Sequence, residues 1–219
     1  MKIIAVNGSP RHDWNTAILL KNILDGAAEA GAETELLHLY SLNYQGCRSC
    51  FACKMTGKPS YGRCAAKDGL SPLLTAIATD VDALVIGSPI YFGMITGETQ
   101  SFIERLLFPY LVYSNPPSSL FRKKIPSLSV FTMNADEERA RGMGYPANFA
   151  RQREFLERFL GGPSHIFACY DTRQFADYSK VIVEMMDPAK KMARHQDVFP
   201  EECRHARELG EELARQAAA

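Results

Sequence analysis

Lys2-Ile3-Ile4-Ala5-Val6-Asn7-Gly8-Ser9-Pro10-Arg11-His12-Asp13-Trp14-Asn15-Thr16 opens the chain, and the way it changes character decides the fold. Lys2–Val6 is an apolar run bounded by turn residues, which suits a parallel strand buried on both faces. Thr16–Ala30 reads as a helix, with Leu20, Ile23, Leu24 and Ala27 on one face and Gly31 where a C-terminal cap belongs. The loop between them suits an anion. Backbone N–H groups at a helix start point outward, and the helix dipole favours negative charge there. Ser9, Asn15 and Thr16 add neutral donors and Arg11 a charge. Neither G-x-G-x-x-G nor a Gly-Lys-Ser/Thr ending is present, so one phosphate monoester fits better than a diphosphate. The plainer alternative is that Gly8, Ser9 and Pro10 make a turn and Asn15 caps a helix.

The same alternation continues outward. Further strands are expected at Thr34–Leu39, Val81–Gly87, Ile125–Met133 and Ser164–Tyr170. Helices are expected at Leu70–Thr79, about Gly97–Leu111 after a Thr96 cap, about Pro146–Leu160, and Glu201–Ala217. Five strands alternating with helices imply a parallel sheet covered on both faces. The common strand order is then 2-1-3-4-5, with ligands outside the carboxyl ends of the strands. No internal repeat or low-complexity tract interrupts this. The chain reads as one domain over residues 1–219, with insertions at about 40–68, rich in cysteine, and about 171–200, mixed in charge.

Composition narrows the class. An apolar fraction of 46% in 219 residues is enough for a sizeable core. Lys+Arg and Asp+Glu both total 25, which argues against a dedicated nucleic-acid binder. Ile3–Val6 runs straight into a turn without a cleavage-site pattern, and no stretch approaches the roughly 20 apolar residues of a membrane span. A soluble, cytoplasmic protein is expected.

Cys47-x-x-Cys50-x-x-Cys53 followed by Cys64 is the sharpest chemical signal. Closely spaced thiolates hold a [4Fe–4S] cluster or zinc. Structural thiols or a redox-active pair are the alternatives. Ten residues separate Cys53 from Cys64, among them Lys54, Lys58 and Arg63. Cys169 and Cys203 read as small core residues. The five histidines show no metal spacing, and no Ser-His-Asp or paired-carboxylate arrangement is recognisable.

Three loops in order carry a resemblance: Gly8-Ser9-Pro10-Arg11 with Asn15-Thr16, then Gly87-Ser88-Pro89-Ile90-Tyr91-Phe92-Gly93 with Gly97 through Pro109, then Met133-Asn134. Together they resemble the NADPH-dependent FMN reductase family of flavodoxin-like proteins. The likeness is best to the branch that includes the iron–sulfur flavoproteins, and Asp171–Lys180 also looks like a segment of it. The resemblance implies a flavodoxin-like three-layer α/β sandwich that binds FMN. Ser9, Arg11, Asn15 and Thr16 would hold the phosphate, Pro89, Ile90, Tyr91, Phe92 and Gly93 the ring, and Thr132 and Asn134 its border. An aromatic turn packed into the core is the alternative for Tyr91 and Phe92. NAD(P)H would be the donor and a quinone-like, nitro, azo or flavin molecule the acceptor, with no residue assigned as acid or base because the hydride chemistry is the cofactor's. The rival is an electron carrier with FMN and a [4Fe–4S] cluster. A homodimer or higher homo-oligomer is implied, without nucleic acid or membrane partners. In that branch a compact cysteine motif holds a cluster beside the FMN. The longer Cys53–Cys64 spacing departs from it, so Cys47, Cys50, Cys53 and Cys64 are expected to lie together beside the flavin without a cluster.

Overall fold

The computed structural model describes residues 1–219. Apolar β1 (Lys2–Asn7) leads to α1 (Asn15–Glu29), β2 (Glu33–His38), α2 (Ser71–Thr79), β3 (Ala83–Tyr91), β4 (Met94–Ile95) and α3 (Gly97–Leu107). Then come β5 (Leu111–Val112), β6 (Ser118–Ser119), β7 (Ile125–Thr132), α4 (Glu137–Gly142), α5 (Tyr145–Leu160), β8 (Gly161–Cys169), α6 (Pro188–Asp197) and α7 (Phe199–Ala218). The main sheet has the order β2-β1-β3-β7-β8 with all four pairings parallel, which is the expected 2-1-3-4-5 order. Structurally this is the flavodoxin-like sandwich: alternate strand residues face opposite layers. Ile4, Val6, Leu84 and Ile86 pack towards α2, α3 and α5. Ile3, Ala5, Ala83 and Val85 pack towards α1 and α7.

Two glycines let α1 and α7 touch. A Cβ on Gly26 would sit 2.0 Å from the Arg207 carbonyl oxygen, and one on Gly210 would sit 1.9 Å from that of Ile23. No helix is long and apolar enough to cross a membrane.

The differences from the sequence reading have local causes. β3 runs on to Tyr91 because Ile90 and Tyr91 pair antiparallel with Ile95 and Met94, a hairpin that no alternation announces. The helix expected to reach Leu111 stops at Leu107 in a 3₁₀ turn containing Pro109, which has no N–H to continue the ladder. The irregular 171–200 segment contains α6. Its Pro188 and Pro200 of α7 look like breakers in sequence, yet each occupies the first turn of its helix, where a missing N–H costs nothing. The short helix α4 is capped by Asp136, whose carboxylate accepts from the Arg139 N–H at 2.8 Å.

Candidate functional site

A parallel sheet brings the carboxyl ends of β1, β3 and β7 to one edge, and the loops leaving them meet there. The first loop is shaped by its own side chains. Asn7 Oδ1 accepts from the Ser9 N–H at 3.0 Å, and Ser9 Oγ accepts from the Arg11 N–H at 3.1 Å. Gly8 donates to the Gly87 carbonyl at 2.7 Å, and Thr96 Oγ1 donates to the Gly8 carbonyl at 2.8 Å. A Cβ at Gly8 would lie 1.8 Å from Thr99 Oγ1 and 3.0 Å from the Gly87 carbonyl oxygen, so a larger residue there forces Thr99 to move. Helix α1 then begins with no side-chain cap and no acidic residue in its first turn. Its N–H groups and positive dipole end are left for an anion.

The second and third loops close the space. Thr16 Oγ1 and Thr132 Oγ1 are 2.8 Å apart, joining the start of α1 to the end of β7. Residues 171–174, after β8, lie across as a strap. Thr172 donates its N–H and its hydroxyl to the Met133 carbonyl, at 2.8 and 3.1 Å. The Arg173 carbonyl accepts from Trp14 Nε1 at 3.1 Å and Asn15 Nδ2 at 2.7 Å. The Gln174 carbonyl accepts from Arg11 Nη1 at 2.5 Å.

Between these elements lies a cavity of about 450 Å³. Nine of the eleven residues singled out in sequence line it: Ser9, Arg11, Asn15, Thr16, Pro89, Ile90, Tyr91, Thr132 and Asn134. Phe92 and Gly93 do not. Both have positive φ, at 50° and 82°, so the chain swings outward. Phe92 is fully exposed, and Gly93 lines a neighbouring groove with Met94 and Phe155 between α3 and α5. Trp14, Met133, Thr172, Arg173 and Gln174 complete the lining, and sequence reasoning had not assigned them a place there. Only the likeness of 171–180 to a family segment pointed towards that strap.

The electrostatics favour an anion at one end. The lining carries the guanidiniums of Arg11 and Arg173 and no carboxylate. Both guanidiniums stack on Trp14, 5.0 and 4.8 Å from its ring centroid. Two buried polar atoms of the lining lack any partner: Arg173 Nε, a donor, and Asn134 Oδ1, an acceptor. A phosphate would satisfy the first and a ring N–H the second, so the donor set fits a phosphorylated heteroaromatic ligand such as FMN. Behind Asn134, the buried Lys191 ammonium donates to its carbonyl at 2.6 Å and is paired with Asp171.

The cysteines also come together. Cys47, Cys50, Cys53 and Cys64 all line a second cavity of about 450 Å³, walled by Glu104, Arg105, Phe108 and Pro109. Burial pushes the Cys53 thiol above its ordinary value; Lys54 opposes this, and Cys50 and Cys64 add to it. No group of three or more candidate ligands is tight enough to hold a single ion. A cluster spreads its ligands wider than one ion does, because bridging sulfides separate the irons. The cavity lies along α3, roughly 12–18 Å from the Thr96 cap at 1.5 Å per residue, and shares no lining residue with the first. Cys47, Cys50, Cys53 and Cys64 thus line one cavity along α3, apart from the lining of the first cavity.

Known proteins resemble this chain in two ways. An iron–sulfur flavoprotein of Archaeoglobus fulgidus is 37% identical over 105 residues, 48% of this chain and 48% of that protein. One of Methanocaldococcus jannaschii is 33% identical over 105 residues, covering 48% and 51%. The match thus spans about half the length of these relatives. Among solved structures, an NAD(P)H:quinone oxidoreductase from Methanothermobacter marburgensis superposes with a TM-score of 0.67 at 16% identity, over 97% of this chain and 98% of the other. An azoreductase from Bacillus anthracis gives 0.65 at 13%, over 96% and 99%. At such identity these likenesses show the fold. The family model described as NADPH-dependent FMN reductase matches residues 1–135, and the chain belongs to that family.

Proposed function

We propose that this chain is an FMN-dependent oxidoreductase that takes hydride from NAD(P)H and passes electrons to a quinone-like, nitro, azo or flavin acceptor. One observation carries the reading: the carboxylate-free cavity at the sheet edge, with two guanidiniums and an uncapped helix start at one end. FMN, when bound, supplies the hydride and electron chemistry. Arg11, Arg173 and the first N–H groups of α1 would hold its phosphate, with Ser9, Asn15 and Thr16 as neutral donors. Pro89, Ile90 and Tyr91 would carry the ring, and Thr132 and Asn134 would border it. Asn134 Oδ1 would accept a ring N–H. The 171–174 strap would cover the phosphate end. Phe92 and Gly93 would form the rim, where nicotinamide and acceptor enter or a second copy of the chain covers the ring. We read residues 1–219 as one flavodoxin-like unit, with 40–68 and 171–200 as insertions.

Heat-released cofactor identifies the ligand by chromatography: FMN is expected, and FAD would overturn the reading. Under anaerobic conditions NADH or NADPH should then bleach the bound flavin within minutes. Bleaching by dithionite alone would leave an electron carrier as the better description.

A second reading is favoured by one observation, the convergence of all four cysteines on a single cavity. In it Cys47, Cys50, Cys53 and Cys64 hold a [4Fe–4S] cluster that relays electrons with FMN. It runs against the spacing argument and is tested by anaerobic reconstitution with iron and sulfide. Stoichiometric iron and an EPR signal of the reduced protein, both lost in Cys50→Ala, would establish it.

A further inference from the structure

The cysteine loop is drawn shut at its neck by one side chain. Arg105 of α3 is 2% exposed. Its Nη1 donates to the Gln45 carbonyl at 3.0 Å, just ahead of the first cysteine. Its two terminal nitrogens grip the Asp68 carboxylate at 2.5 and 3.0 Å, just past the last. Burial opposes ionisation of Asp68, yet Arg105 and the Leu70 N–H outweigh it and hold the carboxyl below its ordinary range. Lys54 lashes the middle of the loop to α3's far end, donating to the carbonyls of Phe108 and Leu111. The four thiols are therefore set around their cavity largely by Arg105 and Lys54, and, against burial, the Cys64 sulfur in turn joins Asp68 in holding the Arg105 guanidinium charged.

One group in this arrangement is unspent. Arg105 Nε is buried and has no hydrogen-bond partner, whereas Nη1 and Nη2 both donate. Arg105 lines the cavity that the four cysteines share. Leaving a charged N–H buried without an acceptor is unfavourable, and native proteins rarely do so. The anionic acceptors that line the cavity are the cysteine sulfurs and the Glu104 carboxylate, whose Oε1 already accepts from Gln100 Nε2 at 3.1 Å.

We infer that Arg105 is the positioning residue of an iron–sulfur site: it holds the cysteine loop around the cavity and donates its free Nε–H to a sulfur of the cluster, raising the cluster's reduction potential. This rests on the second reading above. A reduced cluster carries one more negative charge than an oxidised one. A buried donor on its sulfur therefore favours the reduced form. Asp68 neutralises much of the charge of Arg105, so the hydrogen bond is the larger influence.

The test is an EPR-monitored redox titration of full-length wild type, Arg105→Lys and Arg105→Met, each reconstituted anaerobically with iron and sulfide. Wild type should load a cluster. Arg105→Met should shift its midpoint to more negative potential, and Arg105→Lys should shift it the same way but less. Lysine keeps the charge and the Asp68 pair, so that variant carries the test if the methionine variant fails to fold. Unchanged midpoints in the folded variants would overturn the role of Arg105, even with reduced iron content, since a mere clamp changes occupancy and not potential. No cluster in wild type would overturn the underlying reading as well.

Discussion

Arg173 and Trp14 lie 159 residues apart, yet the Arg173 guanidinium stacks 4.8 Å over the Trp14 ring while Trp14 Nε1 donates to the Arg173 carbonyl. This reciprocal contact joins the strap after β8 to the loop after β1. It makes the proposed phosphate site a composite of two segments far apart in the chain, and it predicts which variants weaken it.

Arg173→Ala should weaken FMN binding by about tenfold or more, because a hydrogen bond to a charged group is worth roughly 1.5–3 kcal/mol. Trp14→Phe keeps the ring and loses one neutral hydrogen bond of about 1 kcal/mol, so roughly a fivefold loss is expected. Fluorescence titration of the flavin-free protein with FMN measures both. Equal affinity in wild type and Arg173→Ala would remove the strap from the site.

The ion pair behind Asn134 should be asymmetric. Lys191 is 4% exposed, whereas the Asp171 side chain is 34% exposed and also faces Arg194 Nε at 3.9 Å. Asp171→Asn strands a buried ammonium and should cost about 3–5 kcal/mol. Asparagine tolerates the positive φ of 53° at this position, so backbone strain does not confuse the result. Lys191→Met leaves a carboxylate with water and Arg194 to turn to, and should cost less. Urea unfolding ranks the two; the reverse order would refute the argument.

Stability should fall on mild acidification. His38 stacks on His12 with ring centroids 4.2 Å apart, and Asn7 Nδ2 sits 2.9 Å from its Nδ1, a contact that suits a neutral ring accepting at Nδ1. Burial, then the charges of His12 and Lys21, hold His38 below the ordinary histidine value. The unfolded chain therefore binds the proton first. Stability is fully present above about pH 6.5, falls as pH drops from there towards the folded value, and levels off below it. His195 is shifted the same way, by burial and then by Arg173 and Arg194. Urea midpoints at about pH 7.5 and about pH 5.5 should differ, and less so in His38→Asn. An identical difference in the variant would exclude His38.

Thiol reactivity should divide the six cysteines. Cys47 and Cys50 are exposed. Burial and then Glu202 push the Cys203 thiol up to about 11, and the same two causes push the buried Cys169 further. Ellman's reagent should therefore react rapidly with a subset that disappears in a Cys47→Ser, Cys50→Ser double variant. Cys169 and Cys203 should react only on unfolding, because the thiolate is the reactive form. Rapid labelling of Cys169 in the native protein would contradict its place in the core.

The sequence by itself determined the sheet, its order and the edge where a ligand would bind. Each of those follows from short-range information: unbroken apolar runs, a helical face, turn residues between them, and the rule that ligands sit outside the carboxyl ends of parallel strands. Ser9, Asn15 and Thr16 were legible for the same reason, since one turn of chain carries them all. Only the tertiary structure decided what depends on partners far along the chain: Arg173 against Trp14, Thr16 against Thr132, Lys191 against Asn134, and Arg105 between Gln45 and Asp68. The resemblance places Phe92 and Gly93 against the ring, but two successive positive φ values turn them away from the cavity lining, a backbone choice stabilised by the Tyr91–Met94 pairing. Long-range hydrogen bonds and ion pairs leave no periodic trace, because any polar residue at those positions would read alike until the fold brings its partner within about 3 Å.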